Sequence, residues 1–312
     1  MGVFDGHCGA GAAEEAVEIM QDSFASMVTS PDSPIPYVSA FLATDDRIED
    51  EAGCTATCVT IFQQDGDNDN DNDIVIRAAN VGDSMACLTQ MPSTSTIADT
   101  PITPSIATTT TTTITTLTQD HRVTNPDEQI RLQSHGVIPE GEEKTTRLYG
   151  LNIARSLGDR FLKDEDLGLS AEPYVSDIVT LRGDQEALIV IASDGLWDVM
   201  SVEDAIDMAR HVDRDSRGGV VNVAVALVEE AVALGSKDDV TVVVCRVWNK
   251  DFVCSFSGGF ERLGSQKRQG VEDGEERAER AERAERGGDS AEDSAEDSVE
   301  DDLAVGFGNM LL

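Results

Sequence analysis

Eight consecutive residues, ALIVIASD at 187–194, leave this chain little choice of local structure. A short, unbroken apolar run of this kind reads as a strand buried on both faces. The run ends in Ser-Asp-Gly, so a carboxylate stands where the buried strand stops. A carboxylate beside apolar strands is costly unless it is paired or holds a metal. The same ending recurs along the chain. VFDGH carries Asp5, ARSLGD carries Asp159, DGLWD adds Asp198 to Asp194, and GSKDDVTVVV sets Asp238 and Asp239 before a valine-rich strand. Each Asp-Gly taken singly is ordinary turn chemistry. The ensemble is what argues for a site, since several carboxylates at strand ends can hold hard dications such as magnesium or manganese.

The intervening segments alternate in period. Ala16, Ile19, Met20, Phe24 and Met27 share one helical face within residues 11–29, and PDSPIP at 31–36 breaks that helix. GCTATCVTIF (53–62) reads as a strand, DGDNDNDND (65–73) as a polar turn, and IVIRAANVGDSMACL (74–88) as two strands bent at Gly82-Asp83, together a β-meander. The Asp/Asn alternation resembles the start of a calcium loop, but no glutamate follows at the twelfth position and no helix pair flanks it. Residues 89–118 are rich in threonine and proline and read as a floppy inserted loop. A short helix is expected at 125–136, capped by Asn125, with Glu128 completing a capping box and Gly136 ending it. A helix capped by Ser201, a second helix over 219–235 and a last strand over 240–248 complete the pattern.

Composition narrows the function. The net charge is −37, which argues against nucleic acid or an anionic membrane as partner. Much of that charge lies beyond residue 250, where EERAERAERAERGG and DSAEDSAEDSVEDD repeat without an apolar face. Residues 250–312 therefore read as an acidic disordered tail, and 1–249 as the folded domain. The six cysteines include no CxxC pair, and four of them lie in strand-like apolar surroundings as reduced core thiols. No apolar run is long enough to span a bilayer and no signal peptide precedes the first motif, so a cytoplasmic or nuclear monomer is expected.

VFDGHCG, GCTATCVTI, AANVGDSMACL, TQDHRVTNPDEQIRLQSHGVI, GLNIARSLGDRFLK, SAEPYVSDI, ALIVIASDGLWDVMS and GSKDDVTVVV resemble, in order and spacing, the motif series of the metal-dependent protein serine/threonine phosphatases of type 2C. The resemblance covers about residues 1 to 248. It implies an α+β fold, a four-layer α-β-β-α sandwich of two antiparallel sheets flanked by helices, with a dinuclear magnesium or manganese site at one rim. It implies that Asp5 bridges both metals, that Gly6 adds its backbone carbonyl, and that Asp194 and Asp238 supply further carboxylates. Asp159 and Asp198 match positions linked to a third, weaker ion, and Asp239 a supporting place behind the ligands. His7 matches the general acid that protonates the leaving seryl or threonyl oxygen. The substrates implied are phosphoproteins, attacked by metal-activated water without a phosphoenzyme.

Two departures matter. Cys8 replaces a glycine of the usual Asp-Gly-His-Gly-Gly string and could make the site sensitive to oxidation. The strands that precede that string in the family, with an arginine for the substrate phosphate and an acidic pair, have no counterpart, and no other arginine or lysine matches that arginine; Arg155 reads as structural. The expectation is therefore an N-terminally short phosphatase domain. The alternative is a catalytically inactive phosphatase-like binding protein.

Overall fold

The computed structural model describes residues 1–27, 36–65, 72–91, 113–137, 146–183, 185–215, 220–248 and 253–261. In chain order the elements are β1 (Gly2–Val3), β2 (Gly6–His7), α1 (Gly11–Met27), α2 (Tyr37–Asp45), β3 (Gly53–Cys54), β4 (Ala56–Asp65), β5 (Asn72–Val81) and β6 (Met85–Met91). There follow β7 (Ile114–Thr116), α3 (Pro126–Ser134), β8 (Leu157–Gly158), α4 (Arg160–Asp164), β9 (Tyr174–Val175) and β10 (Val179–Leu181). The chain continues through β11 (Glu186–Ala192), α5 (Asp194–Trp197), α6 (Val202–Asp215), α7 (Val220–Ala233), β12 (Val240–Trp248) and β13 (Val253–Glu261).

Two antiparallel sheets face each other. One runs β1-β4-β5-β10, with β9 also on β5; the other runs β13-β12-β11-β6-β7. Val3, Val59, Ile74, Ile76, Leu88, Ile189, Ile191 and Val247 fill the space between them. α1 and α2 pack on the outer face of the first sheet through Ala16, Met20, Ala40 and Phe41. α6 and α7 cover the outer face of the second through Ile206, Ala209, Leu227 and Ala231. This is the expected α-β-β-α sandwich. β11 lies at its centre with all seven residues buried, because both of its faces are covered.

Several local expectations need correction. The folded part does not stop at residue 249: β13 pairs with β12 along its length, from Val240 opposite Glu261 to Trp248 opposite Val253. The acidic composition begins beyond it, so the change of character and the end of the sheet do not coincide. The floppy insert expected at 89–118 is strand at both ends, because β6 reaches Met91 and β7 pairs with it from Ile114. Glu128 does not close a capping box; it is 1% exposed and held by Arg131 and Arg155 at 2.7 Å each. Those guanidinium groups outweigh the cost of its burial and hold its carboxyl below the ordinary range. Asn125 caps α3 as expected, accepting from the Asp127 amide at 2.9 Å. The breaker at 31–35, most of the Asp/Asn turn, the centre of the insert and the repeats beyond 261 lie outside the described residues.

A carboxylate site at the rim of the sandwich

A third, very small sheet links distant parts of the chain. β3 pairs with β2 on one side and β8 on the other, setting His7 opposite Gly53 and Gly53 opposite Gly158. Each strand is only two residues long, and glycines let them approach. A Cβ at Gly53 would stand 2.0 Å from Asp159 Oδ2 and 2.6 Å from His7 Nε2. Asp159, next after β8, adopts left-handed backbone with φ 49° and ψ 39°. That turn aims its carboxylate at His7: Nε2 lies 2.9 Å from Oδ1 and 2.8 Å from Oδ2. Ser156 Oγ donates to Oδ2 at 2.6 Å. Asp159 is thus engaged with the histidine.

Asp5 lies between β1 and β2. Its carbonyl accepts from the Thr55 amide at 2.8 Å, and its amide donates to Thr55 Oγ1 at 3.3 Å. Thr55 Oγ1 in turn bonds Ser84 Oγ at 2.7 Å, tying Asp5 to the turn that carries Asp83. Gly6 enters β2 opposite Cys54. Asp194 opens α5 where β11 ends. Ser193 joins that end to the start of β12: its Oγ donates to the Asp239 carbonyl at 3.2 Å and accepts from the Thr241 amide at 3.0 Å. Gly195 makes the approach possible, because a Cβ there would stand 2.3 Å from the Asp239 carbonyl oxygen. Asp238 Oδ1 accepts from the Asp239 amide at 2.8 Å. Trp197 Nε1 donates to the Ala192 carbonyl at 2.9 Å, a packing role as its position suggests.

The carboxylates feel one another. Burial raises Asp5 from 3.8 to about 7, and the charges of Asp238, Asp83 and Asp239 add to the rise. Burial, then Asp83, Asp5 and Asp238, raise Asp194 from 3.8 to about 8. Burial also raises Asp83, against the pull of Arg122. Sequence reading missed Arg122 and Asp83. Arg122 Nε donates to Asp83 Oδ2 at 3.0 Å and its Nη2 to Asp198 Oδ1 at 2.6 Å, with Asp194 Oδ2 at 3.6 Å. Burial works against its charge, yet Asp83 and Asp198 raise its pKa further. Both residues were present in quoted motifs, Gly82-Asp83 at a strand bend and Arg122 after Asp120-His121. A bend and a polar tripeptide carry no signal of where they converge. His121 is fully buried, and burial, with Arg155 adding, lowers it to about 3, so it stays neutral. Arg155 pairs with Glu128, structural as expected.

This donor set suits a hard dication: oxygen ligands, burial, and mutual repulsion that one guanidinium only partly offsets. The carboxylates do not close into a cage by themselves; among the described residues no three His, Cys, Asp or Glu side chains are placed to hold an ion as they stand. The electrostatic grouping and the oxygen donor chemistry support the fit.

Comparison with known proteins agrees with the fold. The chain is 31% identical over 258 residues to Protein phosphatase 2C 70 of Arabidopsis thaliana, covering 77% of this chain and 40% of that protein. It is 29% identical over 259 residues to Probable protein phosphatase 2C 32 of Oryza sativa subsp. japonica, covering 79% and 57%. The chain thus spans less than two thirds of either relative. Among solved structures, serine-threonine phosphatase 2C from Toxoplasma gondii superposes with a TM-score of 0.56 at 22% identity, over 81% of this chain and 84% of that one. A C. elegans sex determining protein gives 0.60 at 20% identity, over 80% and 56%. At such identities the likeness speaks for the fold alone. The family model for Protein phosphatase 2C matches residues 1–240, which takes in every carboxylate described above. With that match over most of its length, the chain belongs to the protein phosphatase 2C family.

Proposed function

We propose that this chain is a metal-dependent protein serine/threonine phosphatase, hydrolysing phosphoserine and phosphothreonine in proteins. The observation that carries the reading is the grouping of buried, mutually repelling Asp5 and Asp194 with Asp83 and Asp238, Asp5 lying two residues before a carboxylate-held His7. Asp5, Asp194 and Asp238, with the Gly6 carbonyl, would hold two magnesium or manganese ions, and Asp159 and Asp198 would serve a third. Such ions, when bound, supply an activated water and stabilise charge in an in-line displacement at phosphorus.

The chain's own residues supply the remainder. Asp159, fixed by Ser156, keeps the His7 ring in one orientation, and His7 gives its proton to the departing seryl or threonyl oxygen. Arg122 brings a guanidinium, always charged and planar, to the rim where the phosphate would lie.

The test is hydrolysis of para-nitrophenyl phosphate and of a phosphothreonine peptide by the 312-residue chain, with and without manganese. Manganese-dependent turnover that Asp194→Ala abolishes supports the proposal. A folded chain that binds manganese without turnover would instead speak for a phosphatase-like binding protein.

A further inference from the structure

A pair of thiols at the last two strands lies apart from the carboxylate site. In the antiparallel pairing of β12 and β13, Cys245 stands opposite Phe256 and Cys254 opposite Val247. Residues directly opposite share a face, as do residues two apart on one strand, so the two cysteines are diagonal neighbours on one face. Their sulfurs are 2.8 Å apart and both thiols are free. Cys245 is fully buried between the sheets, whereas Cys254, on the edge strand, packs against the same core and remains partly accessible. The contact between them raises Cys245 and lowers Cys254, the more accessible of the two. An accessible thiol beside a buried resolving thiol suits two-thiol oxidation.

We propose that Cys245 and Cys254 form a reversible disulfide, made by hydrogen peroxide and reversed by a dithiol, that staples β13 to β12. In the forward step the Cys254 thiolate attacks one peroxide oxygen. The O–O bond breaks, and the departing hydroxide takes up a proton to leave as water. Cys254 is then a sulfenic acid. The Cys245 sulfur attacks the Cys254 sulfur, the S–O bond breaks, and the hydroxyl leaves as a second water with the Cys245 proton. Two thiols are oxidised by two electrons and one peroxide is reduced. A dithiol reverses the bond by exchange and becomes a disulfide itself. The bond closes a short ring from residue 245 to residue 254 and fixes the strand that forms one edge of its sheet.

The experiment treats the reduced, full-length chain with equimolar peroxide, alkylates remaining thiols and maps the peptides by mass. The expected result is a peptide linking Cys245 to Cys254, lighter by two hydrogen atoms and restored by dithiothreitol. Hydrogen exchange of the β13 amides should slow about tenfold in the oxidised chain, because strand opening is then confined. Cys254→Ser, at an accessible position, should lose both effects while its circular dichroism is unchanged. Cys245→Ala, which keeps that position apolar, should leave Cys254 as a sulfenic acid that dimedone traps, and a second equivalent of peroxide should carry it on to the sulfinic acid. Recovery of Cys254 unmodified, as sulfinic acid in the unsubstituted chain, or bridged to any other cysteine would overturn the proposal. So would a bridge that leaves β13 exchange unchanged.

Discussion

His7 Nε2 meets both carboxylate oxygens of Asp159, at 2.9 and 2.8 Å, across 152 residues of sequence. The contact is built by three two-residue strands and a left-handed aspartate, and a serine secures its far side. A histidine held this way has one ring nitrogen committed, which fixes the orientation of the ring.

Asp159→Asn should therefore lower kcat on a phosphoseryl peptide by about 100-fold, the scale of a disabled general acid, with KM little changed. Para-nitrophenolate departs without needing a proton, so turnover of that substrate should fall only about threefold. Parallel steady-state assays on the two substrates check this. An equal loss on both would mean that Asp159 serves the fold alone.

Gly195→Ala places a methyl 2.3 Å from the Asp239 carbonyl oxygen, a backbone atom that cannot step aside cheaply. The junction between β11 and β12 should open and separate Asp194 from Asp238. Manganese affinity, measured by calorimetry, should weaken about tenfold or more, and the chain should lose about 2 kcal/mol of stability.

The pH dependence of stability follows from Asp5 and Asp194. Both have folded-state values raised from 3.8, to about 7 and about 8. A raised carboxyl binds its proton more tightly in the folded chain, so its contribution is complete below about pH 4. It is lost progressively as pH rises through 7 to 8. The metal-free chain should thus melt at lower temperature at pH 8 than at pH 6, and saturating manganese should flatten or reverse that slope. Calorimetric scans across this range, with chelator or with manganese, decide it; a flat profile in chelator would exclude the coupling.

Cys8 sits in left-handed backbone at φ 62° with its side chain exposed. A residue with a Cβ is strained there by about 1–2 kcal/mol, part of which glycine returns as unfolded-state entropy. Cys8→Gly should stabilise the chain by about 0.5–1 kcal/mol, read from the urea midpoint. Glycine is also the residue that the resemblance led one to expect at this position.

What could be read from sequence divides along physical lines. β11 was legible because seven residues in succession are buried, so no alternation obscures them. α1, α6 and α7 showed helical spacing or caps. α2 was missed because it follows Pro36 without a side-chain cap, and the exposed Val38 and Leu42 blur the buried face made by Tyr37, Ala40, Phe41 and Thr44. β13 was missed because its Gly258-Gly259 pair has no apolar signature; Gly259 is there so that α7 can come close, its Cβ position lying 3.0 Å from the Ala224 carbonyl. Asp5, Asp194 and Asp238 stood out at strand ends. Arg122, and the contact of Asp159 with His7, did not, because a side chain's neighbours across the fold leave no local trace.

The small sheet of β2, β3 and β8 also bears on the order of folding. Its three segments come from residues near 6, 53 and 157, so each pairing closes a long loop for very few hydrogen bonds. Such a contact gains nothing until the surrounding sandwich has already fixed its ends. During refolding, helix and strand content should return before the His7–Asp159 contact does, and catalysis last of all. On the function proposed above, the His7–Asp159 contact then works as a built-in proofreader of assembly: a chain still half made carries both residues but cannot yet bring them together.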